Sequence, residues 1–335
     1  MPDINILGIE TSCDETAAAI VKNGRHILSN VVNSQIAIHQ KFGGVVPEIA
    51  SRKHIENISL VVDAAFKQAD LTYKDIDAVA ITNAPGLVGA LLVGLSFAKG
   101  FAYSLGKPLI AVNHLHGHIY ANFLEHHDIE FPAICLIVSG GHTSILYMEE
   151  AGQYEVLGST IDDAAGEAFD KVARFLGLGY PGGPAIQKAA ADGQAGKYIL
   201  PRVFLNRKDL DFSFSGLKTA AMNLWKKNSH EPNITNDLAA EFQTTLVEIL
   251  ATKTIRAAQE TGAKTILLAG GVAANSALRN LVKKEGQASG LKVYYPTVLL
   301  CTDNAAMIAG NAYFQYNKGD FAPLNLNAYA SLSSL

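Results

Sequence analysis

The amino-acid sequence predicts an α/β protein built from two copies of one unit, each with the element order βββαβαβα. Two observations predict this fold. Three short apolar runs separated by tight turns open each half of the chain, and helical and strand-like segments then alternate. The segments follow the same order in both halves, which indicates an internal duplication.

The first half contains the whole unit within about 125 residues. Apolar runs bounded by turn residues predict strands at 4–10, 17–21, 26–32, 78–82 and 108–112. The Asn23-Gly24 pair is a hairpin signal between the second and third strands. Helical periodicity predicts helices at 47–69, at 86–105 and from about 113. The helix at 86–105 is almost wholly apolar, so we expect it to be buried.

The second half repeats the unit around an interruption. Its predicted strands are 133–138, 144–148, 154–159, 265–269 and 292–295, and its helices are 236–261, 275–285 and one from about 303. The interruption at about 161–235 is rich in glycine and proline and indicates an insertion. We therefore expect a first domain over 1–127, joined by the C-terminal segment 320–335, and a second domain over 128–319.

Composition agrees with a protein of two domains. The chain has 335 residues, of which 49% are hydrophobic and 17% charged, so it can bury a large core. A net charge of -4 means that any RNA substrate must be held by local basic patches or by partner proteins. The three cysteines form no CxxC pair, which is typical of a reducing cytoplasm.

No membrane segment or leader is expected. The longest apolar run, about 87–98, is too short to span a bilayer and contains two glycines. The N-terminus enters a strand-like run without a basic region or cleavage site. We therefore expect a cytoplasmic protein.

Three histidines in five residues indicate a metal site. His114 and His118 lie four residues apart after the strand 108–112, so on a helix they share a face and can reach one cation. The duplication nominates Asp303 as the third ligand, because its helix holds the equivalent position in the second half. Two imidazoles and one carboxylate suit Fe²⁺ or Zn²⁺. Surface or capping histidines are the alternative interpretation.

The same histidines resemble part of a zinc-protease helix. That signature needs a glutamate directly after the first histidine to act as general base. Leu115 stands at that position, and no acidic residue lies between His114 and His118. The sequence therefore argues against the protease chemistry while leaving the metal site intact.

Two turns offer candidates for binding a ligand. In Ser139-Gly140-Gly141 the missing side chains allow backbone N–H groups to approach an anion, although a glycine-rich hairpin without a ligand is the alternative. The equivalent turn of the first half carries Asp14, which could hold water, a cation or a reacting group. The neighbouring Glu15 could as easily be a solvated turn residue.

Three further motifs have both a functional and a structural interpretation. Asn275 follows a glycine turn at a helix start, where it could contact a ligand or cap the helix. Asp170 lies in an acidic segment, 162–171, that could bind ribose hydroxyls or form a solvated helix start. The segment 211–218 alternates aromatic residues with serine, and no chemistry can be assigned to it.

Two facing βββαβαβα units form the actin-like architecture of sugar kinases and heat-shock ATPases, with a nucleotide in the cleft between the domains. Beyond this, the chain closely resembles the bacterial TsaD family of tRNA N6-adenosine threonylcarbamoyltransferases, once described as O-sialoglycoprotein endopeptidases. The resemblance runs almost end to end. Its motifs are Gly8–Thr16, Ala84–Leu87, Lys99–His118, Val138–Thr143, Gly166–Lys171, Tyr180–Pro184, Phe212–Thr219, Ala269–Asn275 and Cys301–Asn304.

The resemblance implies transfer of a threonylcarbamoyl group from threonylcarbamoyl-AMP to N6 of the adenosine 3′ of the anticodon, in tRNAs that read codons beginning with A. It places metal ligands on His114, His118 and Asp303. It places substrate-binding positions on Ile137, Val138, Ser139, Gly140, Gly141, Asp170, Gly183 and Asn275. It also implies two partners, a paralogous TsaB-like subunit and a small TsaE-like ATPase.

One position departs from part of the family. Archaeal and eukaryotic relatives carry a metal-reaching tyrosine where this chain has Ile137, and an aliphatic side chain cannot ligate. We expect the metal to orient the carbamoyl oxygen and Asp14 to position the adenine amine or take its proton. A metal-dependent glycoprotease and a non-catalytic nucleotide-binding scaffold are the alternatives.

Overall fold

The computed structural model describes residues 3–203, 205 and 207–331, and its contacts divide the chain into two units. Unit 1 comprises Met1–His127 and Thr302–Leu335, and unit 2 comprises Asp128–Cys301. Residues 332–335 of the predicted C-terminal segment, and 204 and 206 of the predicted insertion, lie outside the described residues.

Unit 1 is built on a five-stranded sheet in the order β3-β2-β1-β4-β5. Its strands are β1 (Asn5–Glu10), β2 (Glu15–Lys22), β3 (His26–Ser34), β4 (Ala78–Ala84) and β5 (Leu109–Asn113). Its helices are α1 (Ile36–His39), α2 (Pro47–Ala69), α3 (Val88–Leu105), α4 (His114–Glu125) and, from the end of the chain, α11 (Ala305–Lys318). The central strand β1 pairs antiparallel with β2 and parallel with β4.

Unit 2 repeats this sheet. Its strands are β6 (Ala133–Val138), β7 (Thr143–Met148), β8 (Glu155–Ser159), β9 (Thr265–Ala269) and β10 (Lys292–Tyr294). They lie in the order β8-β7-β6-β9-β10, which matches the order of unit 1 strand for strand. Its helices are α5 (Ala165–Phe175), α6 (Gly182–Ala191), α7 (Ser215–Lys227), α8 (Ile234–Thr261), α9 (Ser276–Ala288) and α10 (Val298–Cys301). The duplicated α/β fold is confirmed.

The apolar helix α3 is buried on one face only. Leu91, Leu95 and Ala98 are buried in the core of unit 1, whereas Val88 and Leu92 are about two-fifths exposed. The expectation of a fully buried helix was wrong, because a helix packed beside a sheet covers one side alone. With 18 residues, α3 is long and apolar enough to cross a membrane, and no other helix in the described ranges is. A core helix with a buried face meets the same test.

The last helix belongs to unit 1, whereas the sequence assigned 302–319 to the second domain. Helix α11 packs against β1, β2 and α4, and Gly8 in β1 makes this possible. A Cβ at Gly8 would lie 2.4 Å from the carbonyl oxygen of Ala305 and 2.7 Å from the amide nitrogen of Ala309. The helix also begins later than expected, since Asn304 is its N-cap and Asp303 precedes it.

The aromatic–serine segment of unit 2 has a structural role. Phe212 and Phe214 are fully buried and stack at 5.9 Å between ring centroids. Asp162 accepts hydrogen bonds from the backbone N–H groups of Phe214 at 2.8 Å and Ser215 at 3.3 Å. It also accepts from the hydroxyl groups of Ser213 and Ser215. Because Phe214 is the N-cap of α7, Asp162 supplies the cap that this residue cannot provide.

Candidate metal centre

The two histidines of the predicted site share one face of α4. The side-chain oxygen of Asn113 accepts hydrogen bonds from the N–H groups of Leu115 at 2.8 Å and His116 at 3.4 Å, so the helix begins directly after β5. This start places His114 and His118 one turn apart, with ring centroids 4.6 Å from each other. The predicted convergence of the imidazoles is therefore present.

Asp303 completes the group. Its Oδ1 lies 3.2 Å from Nε2 of His118 and 3.5 Å from Nε2 of His114. The three ligand atoms all lie within 4.8 Å of one another. Since all three residues belong to unit 1, the site is formed within one unit.

His118 supplies a direct test of whether these residues fit a metal. Its side chain is 1% exposed, and among the described residues Nδ1 has no hydrogen-bond partner, while Nε2 has only the Asp303 carboxylate beside it, at 3.2 Å and without good hydrogen-bond geometry. A buried polar atom without a partner costs free energy. A cation bound at Nε2 would remove this cost for that nitrogen, and two imidazoles with one carboxylate are a set that binds Fe²⁺ or Zn²⁺. The residues therefore fit a divalent metal.

The charges around the group also favour a cation. Burial raises the pKa of Glu15, and the carboxylates of Asp303 and Asp14 raise it further, to about 10. Burial would lower the pKa of His114, but Asp303 and Glu10 raise it to about 9. Burial would raise the pKa of Asp303, but the two imidazoles lower it to about 2. Several carboxylates thus crowd one small volume, and bound positive charge relieves their repulsion.

Glu10 is a residue of this centre that the sequence interpretation missed. It ends β1, is fully buried, and its Oε2 lies 3.0 Å from Nδ1 of His114. Burial raises its pKa, but the imidazole of His114 outweighs this and lowers the pKa overall. The available signal was an acidic residue at the end of an apolar strand, just before the turn that carries Asp14.

Asp14 lies in the turn between β1 and β2 and is buried. His54 from α2 holds this turn, because its Nδ1 lies 2.8 Å from Oγ1 of Thr16 and its Nε2 lies 2.9 Å from the carbonyl oxygen of Cys13. The backbone carbonyl of Asp14 accepts a hydrogen bond from Gln35 at 3.0 Å. The turn that carries Asp14 is therefore held by α2 on one side and by Gln35 on the other.

The candidates of unit 2 include two residues that can act only through the backbone. The side chains of Ile137 and Val138 are fully buried in β6. Ser139 uses its side chain to close the turn, since Oγ accepts a hydrogen bond from the N–H of His142 at 3.1 Å. Its own N–H donates to the carbonyl oxygen of His142 at 2.8 Å.

Three glycine candidates share a property that the fold does not explain. A Cβ built on Gly140, Gly141 or Gly183 meets no atom within 4 Å, and none of the three has a positive φ. By contrast, a Cβ on the neighbouring Gly166 would lie 2.6 Å from the carbonyl oxygen of Ser139. Packing therefore requires glycine at 166 and not at the three candidate positions.

Asp170 and Asn275 both have structural contacts. Oδ1 of Asp170 accepts a hydrogen bond from the N–H of Gly182 at 2.6 Å and thereby joins α5 to the start of α6. Asn275 is the N-cap of α9, and its Oδ1 accepts from the N–H of Leu278 at 3.0 Å. Its Nδ2 donates to Gln243 at 2.9 Å. The capping alternative for Asn275 is thus what the structure shows.

Comparison with known proteins adds the family. The family model "TsaD: tRNA N6-adenosine threonylcarbamoyltransferase" matches residues 26–310. A protein of that name from Syntrophomonas wolfei is 70% identical over 98% of this chain and 98% of its own length. A relative of the same name from Clostridium perfringens strain SM101 is 55% identical over 98% of this chain and 97% of its length.

Solved structures confirm the fold at much lower identity. HypF from T. kodakarensis is 16% identical with a TM-score of 0.63, over 95% of this chain and 48% of that protein. Component A of the Acidaminococcus fermentans (R)-2-hydroxyglutaryl-CoA dehydratase is also 16% identical, with a TM-score of 0.55 over 94% and 99% of the two chains. Both agree with the actin-like architecture expected from the sequence.

Proposed function

The chain belongs to the TsaD family, and we propose that it transfers the threonylcarbamoyl group from threonylcarbamoyl-AMP to tRNA. The acceptor is N6 of the adenosine 3′ of the anticodon in tRNAs that read codons beginning with A, and AMP is released. The observation that carries this proposal is the 70% identity to a tRNA N6-adenosine threonylcarbamoyltransferase over nearly the whole length of both chains.

His114, His118 and Asp303 hold one divalent metal in this proposal, with Fe²⁺ favoured over Zn²⁺. The proximity of their ligand atoms and the buried Nε2 of His118, which faces only the Asp303 carboxylate and makes no well-formed hydrogen bond, support the site. When bound, the metal supplies Lewis-acid polarisation of the carbamoyl oxygen. The chain's own contribution is to bring the three ligand atoms within 4.8 Å of one another, where they would hold the ion.

Asp14 acts as the general base that accepts the proton of the acceptor amine. The N6 nitrogen forms a bond to the carbamoyl carbon, the bond from that carbon to the phosphate oxygen breaks, and AMP leaves with the electron pair. The proton that N6 loses passes to the Asp14 carboxylate. The turn contacts of His54 support this role, because a general base has to be held in a fixed position.

Unit 2 holds the AMP portion of the donor. The backbone of Ile137 to Gly141, the α6 start at Gly183, Asp170 and Asn275 are its proposed contacts. The open space at Gly140, Gly141 and Gly183 supports this, since a ligand approaching the backbone would exclude side chains there. Asp170 and Asn275 would have to share their present hydrogen bonds with the donor.

We also propose tRNA, a TsaB-like paralogous subunit and a TsaE-like small ATPase as partners, and a cytoplasmic location where tRNA is present. Exposed apolar side chains on two helices of unit 1 support a protein partner. Ile55 and Leu60 of α2 are about two-thirds exposed, and Leu92 of α3 is about two-fifths exposed. Such side chains gain free energy when a partner covers them.

The test is a transfer assay with preformed threonylcarbamoyl-AMP and tRNA, run beside an incubation with a glycoprotein. We expect modified tRNA, an intact glycoprotein, and loss of transfer in His114→Ala and Asp14→Ala. Full transfer by either variant would remove the role assigned to that residue. Cleavage of the glycoprotein would favour a protease, and absence of both activities in the presence of the partners would favour a scaffold.

A further inference from the structure

Glu10 has no part in the reaction as proposed, yet its carboxylate contacts three neighbouring polar groups. Its side chain is fully buried at the end of β1. A buried carboxylate is costly unless hydrogen bonds stabilise it, so its presence calls for an explanation.

Donors surround both carboxylate oxygens. Oε1 accepts a hydrogen bond from the N–H of Ser12 at 2.5 Å. Oε2 accepts one from Oγ1 of Thr82 at 2.6 Å and lies 3.0 Å from Nδ1 of His114. The N–H of Ser12 is an obligatory donor, and an ionised carboxylate can only accept. The contact with His114 therefore requires a proton on Nδ1.

A proton on Nδ1 leaves the lone pair of neutral His114 on Nε2. That nitrogen faces Oδ1 of Asp303 at 3.5 Å, on the side where the metal ligands converge. The other tautomer would place the proton on Nε2, and a protonated Nε2 cannot bind a metal. It would also turn the lone pair of Nδ1 toward the carboxylate of Glu10, which repels it. The hydroxyl of Ser12, 3.2 Å from Nδ1, can either donate to this nitrogen or accept from it, so it is compatible with both tautomers.

We propose that Glu10 is a positioning residue that fixes the tautomer and ring orientation of His114, so that Nε2 binds the metal. This proposal rests on the metal site of the proposed function. His118 offers a contrast within the same helix, because its Nδ1 has no hydrogen-bond partner among the described residues. One ligand of the pair is thus oriented before the metal binds, while the other has no such support.

The first experiment compares Zn²⁺ affinity by competition with a chelator in the full-length wild type, Glu10→Gln and Glu15→Gln. Glutamine keeps the size of the side chain but cannot accept from all the donors around Glu10. We expect a ~10–100-fold weaker affinity for Glu10→Gln, the range typical of lost partners of metal ligands. Glu15 flanks the same turn, and because its pKa is raised to about 10 it is uncharged at neutral pH. Glu15→Gln therefore keeps both its charge and its size, and its Zn²⁺ affinity should stay within a few-fold of the wild type.

Equal affinity of the folded Glu10→Gln variant and the wild type would overturn the proposal, as would an equal loss in Glu15→Gln. Thermal unfolding of each variant checks that it is folded. If Glu10→Gln does not fold, nitrogen-15 NMR of the zinc-loaded wild type decides: the proposal expects Nδ1 of His114 protonated and Nε2 bound to zinc. The reverse arrangement refutes it. A wild type that binds no Zn²⁺ or Fe²⁺ instead refutes the metal site itself.

Discussion

Oδ1 of Asp303 lies 3.2 Å from Nε2 of His118, and this contact joins the segment before α11 to the face of α4. The two residues lie far apart in the chain, and the packing of α11 on β1 and α4 brings them together within unit 1. The metal centre therefore depends on helix packing as much as on its ligands.

Removing one of these ligands should abolish tight metal binding. His118→Ala and Asp303→Ala are expected to weaken Zn²⁺ binding more than ~100-fold, which is the largest loss typical when only a hydrogen-bond partner of a metal ligand is removed. His116→Ala is the control from the same helix, and it should keep the wild-type metal content because the half-buried His116 is not one of the three ligands. Metal analysis after anaerobic purification measures this, and a metal-replete His118→Ala protein contradicts the assignment.

Asp14→Asn should separate proton transfer from metal binding. The variant keeps the shape of the side chain but loses the base, so single-turnover transfer from preformed threonylcarbamoyl-AMP should fall by ~10²–10⁴. Its metal content should match the wild type. Loss of metal in this variant would mean that Asp14 acts at the metal and not on the amine.

Gly8→Ala should disturb the metal centre from a distance. The new methyl group would meet backbone atoms of α11, which cannot rotate away, so we expect a loss of ~1–3 kcal/mol in the free energy of unfolding. The Zn²⁺ affinity should fall as α11 shifts. Gly100→Ala in α3 is the control, because a Cβ there meets nothing within 4 Å and should stabilise by up to ~1 kcal/mol. A Gly8→Ala variant with the wild-type free energy of unfolding would show that the packing of α11 on β1 does not require glycine at this position.

Gly140→Ala should weaken binding of the AMP portion without affecting the fold. Its Cβ would enter open space, so the unfolding temperature should not fall, whereas affinity for a nonhydrolysable donor analogue should drop. Gly166→Ala is the matched comparison and should lower the unfolding temperature, because its Cβ would meet the Ser139 backbone. Wild-type affinity in Gly140→Ala would show that the turn does not approach the ligand.

Asp162→Ala should destabilise unit 2 in a pH-dependent way. Burial raises the pKa of Asp162, but hydrogen bonds from Ser213 and Ser215 outweigh it, so the folded pKa lies below the model-peptide value of 3.8. Because the folded pKa is lowered, the ionised group stabilises the fold above pH ~4, and this stabilisation is lost as the pH falls through the folded pKa.

At pH 7 we expect the free energy of unfolding of Asp162→Ala to be ~0.5–2 kcal/mol below that of the wild type, as for the loss of a helix cap. Denaturant unfolding from pH 7 to pH 3 measures the difference between variant and wild type, which should narrow in acid. A difference that stays constant over this range would show that the ionised form of Asp162 does not carry the cap.

The sequence by itself determined the features that depend on local periodicity. Strand and helix patterns repeat in both halves, and the spacing of His114 and His118 places both on one helix face whatever surrounds it. The Asn113 cap and the tight turn at Ser139 are likewise set by neighbouring residues.

Only the tertiary structure decided which distant side chains meet. It assigned Asp303 to unit 1, brought Glu10 against His114, and gave Asp162 to the start of α7. These contacts join segments far apart in the chain, and the position of Asp303 depends on the close approach of α11 to Gly8, which no local pattern records. The partners of a buried carboxylate are set by tertiary packing, whereas the residues that share a helix face are set by their spacing in the sequence.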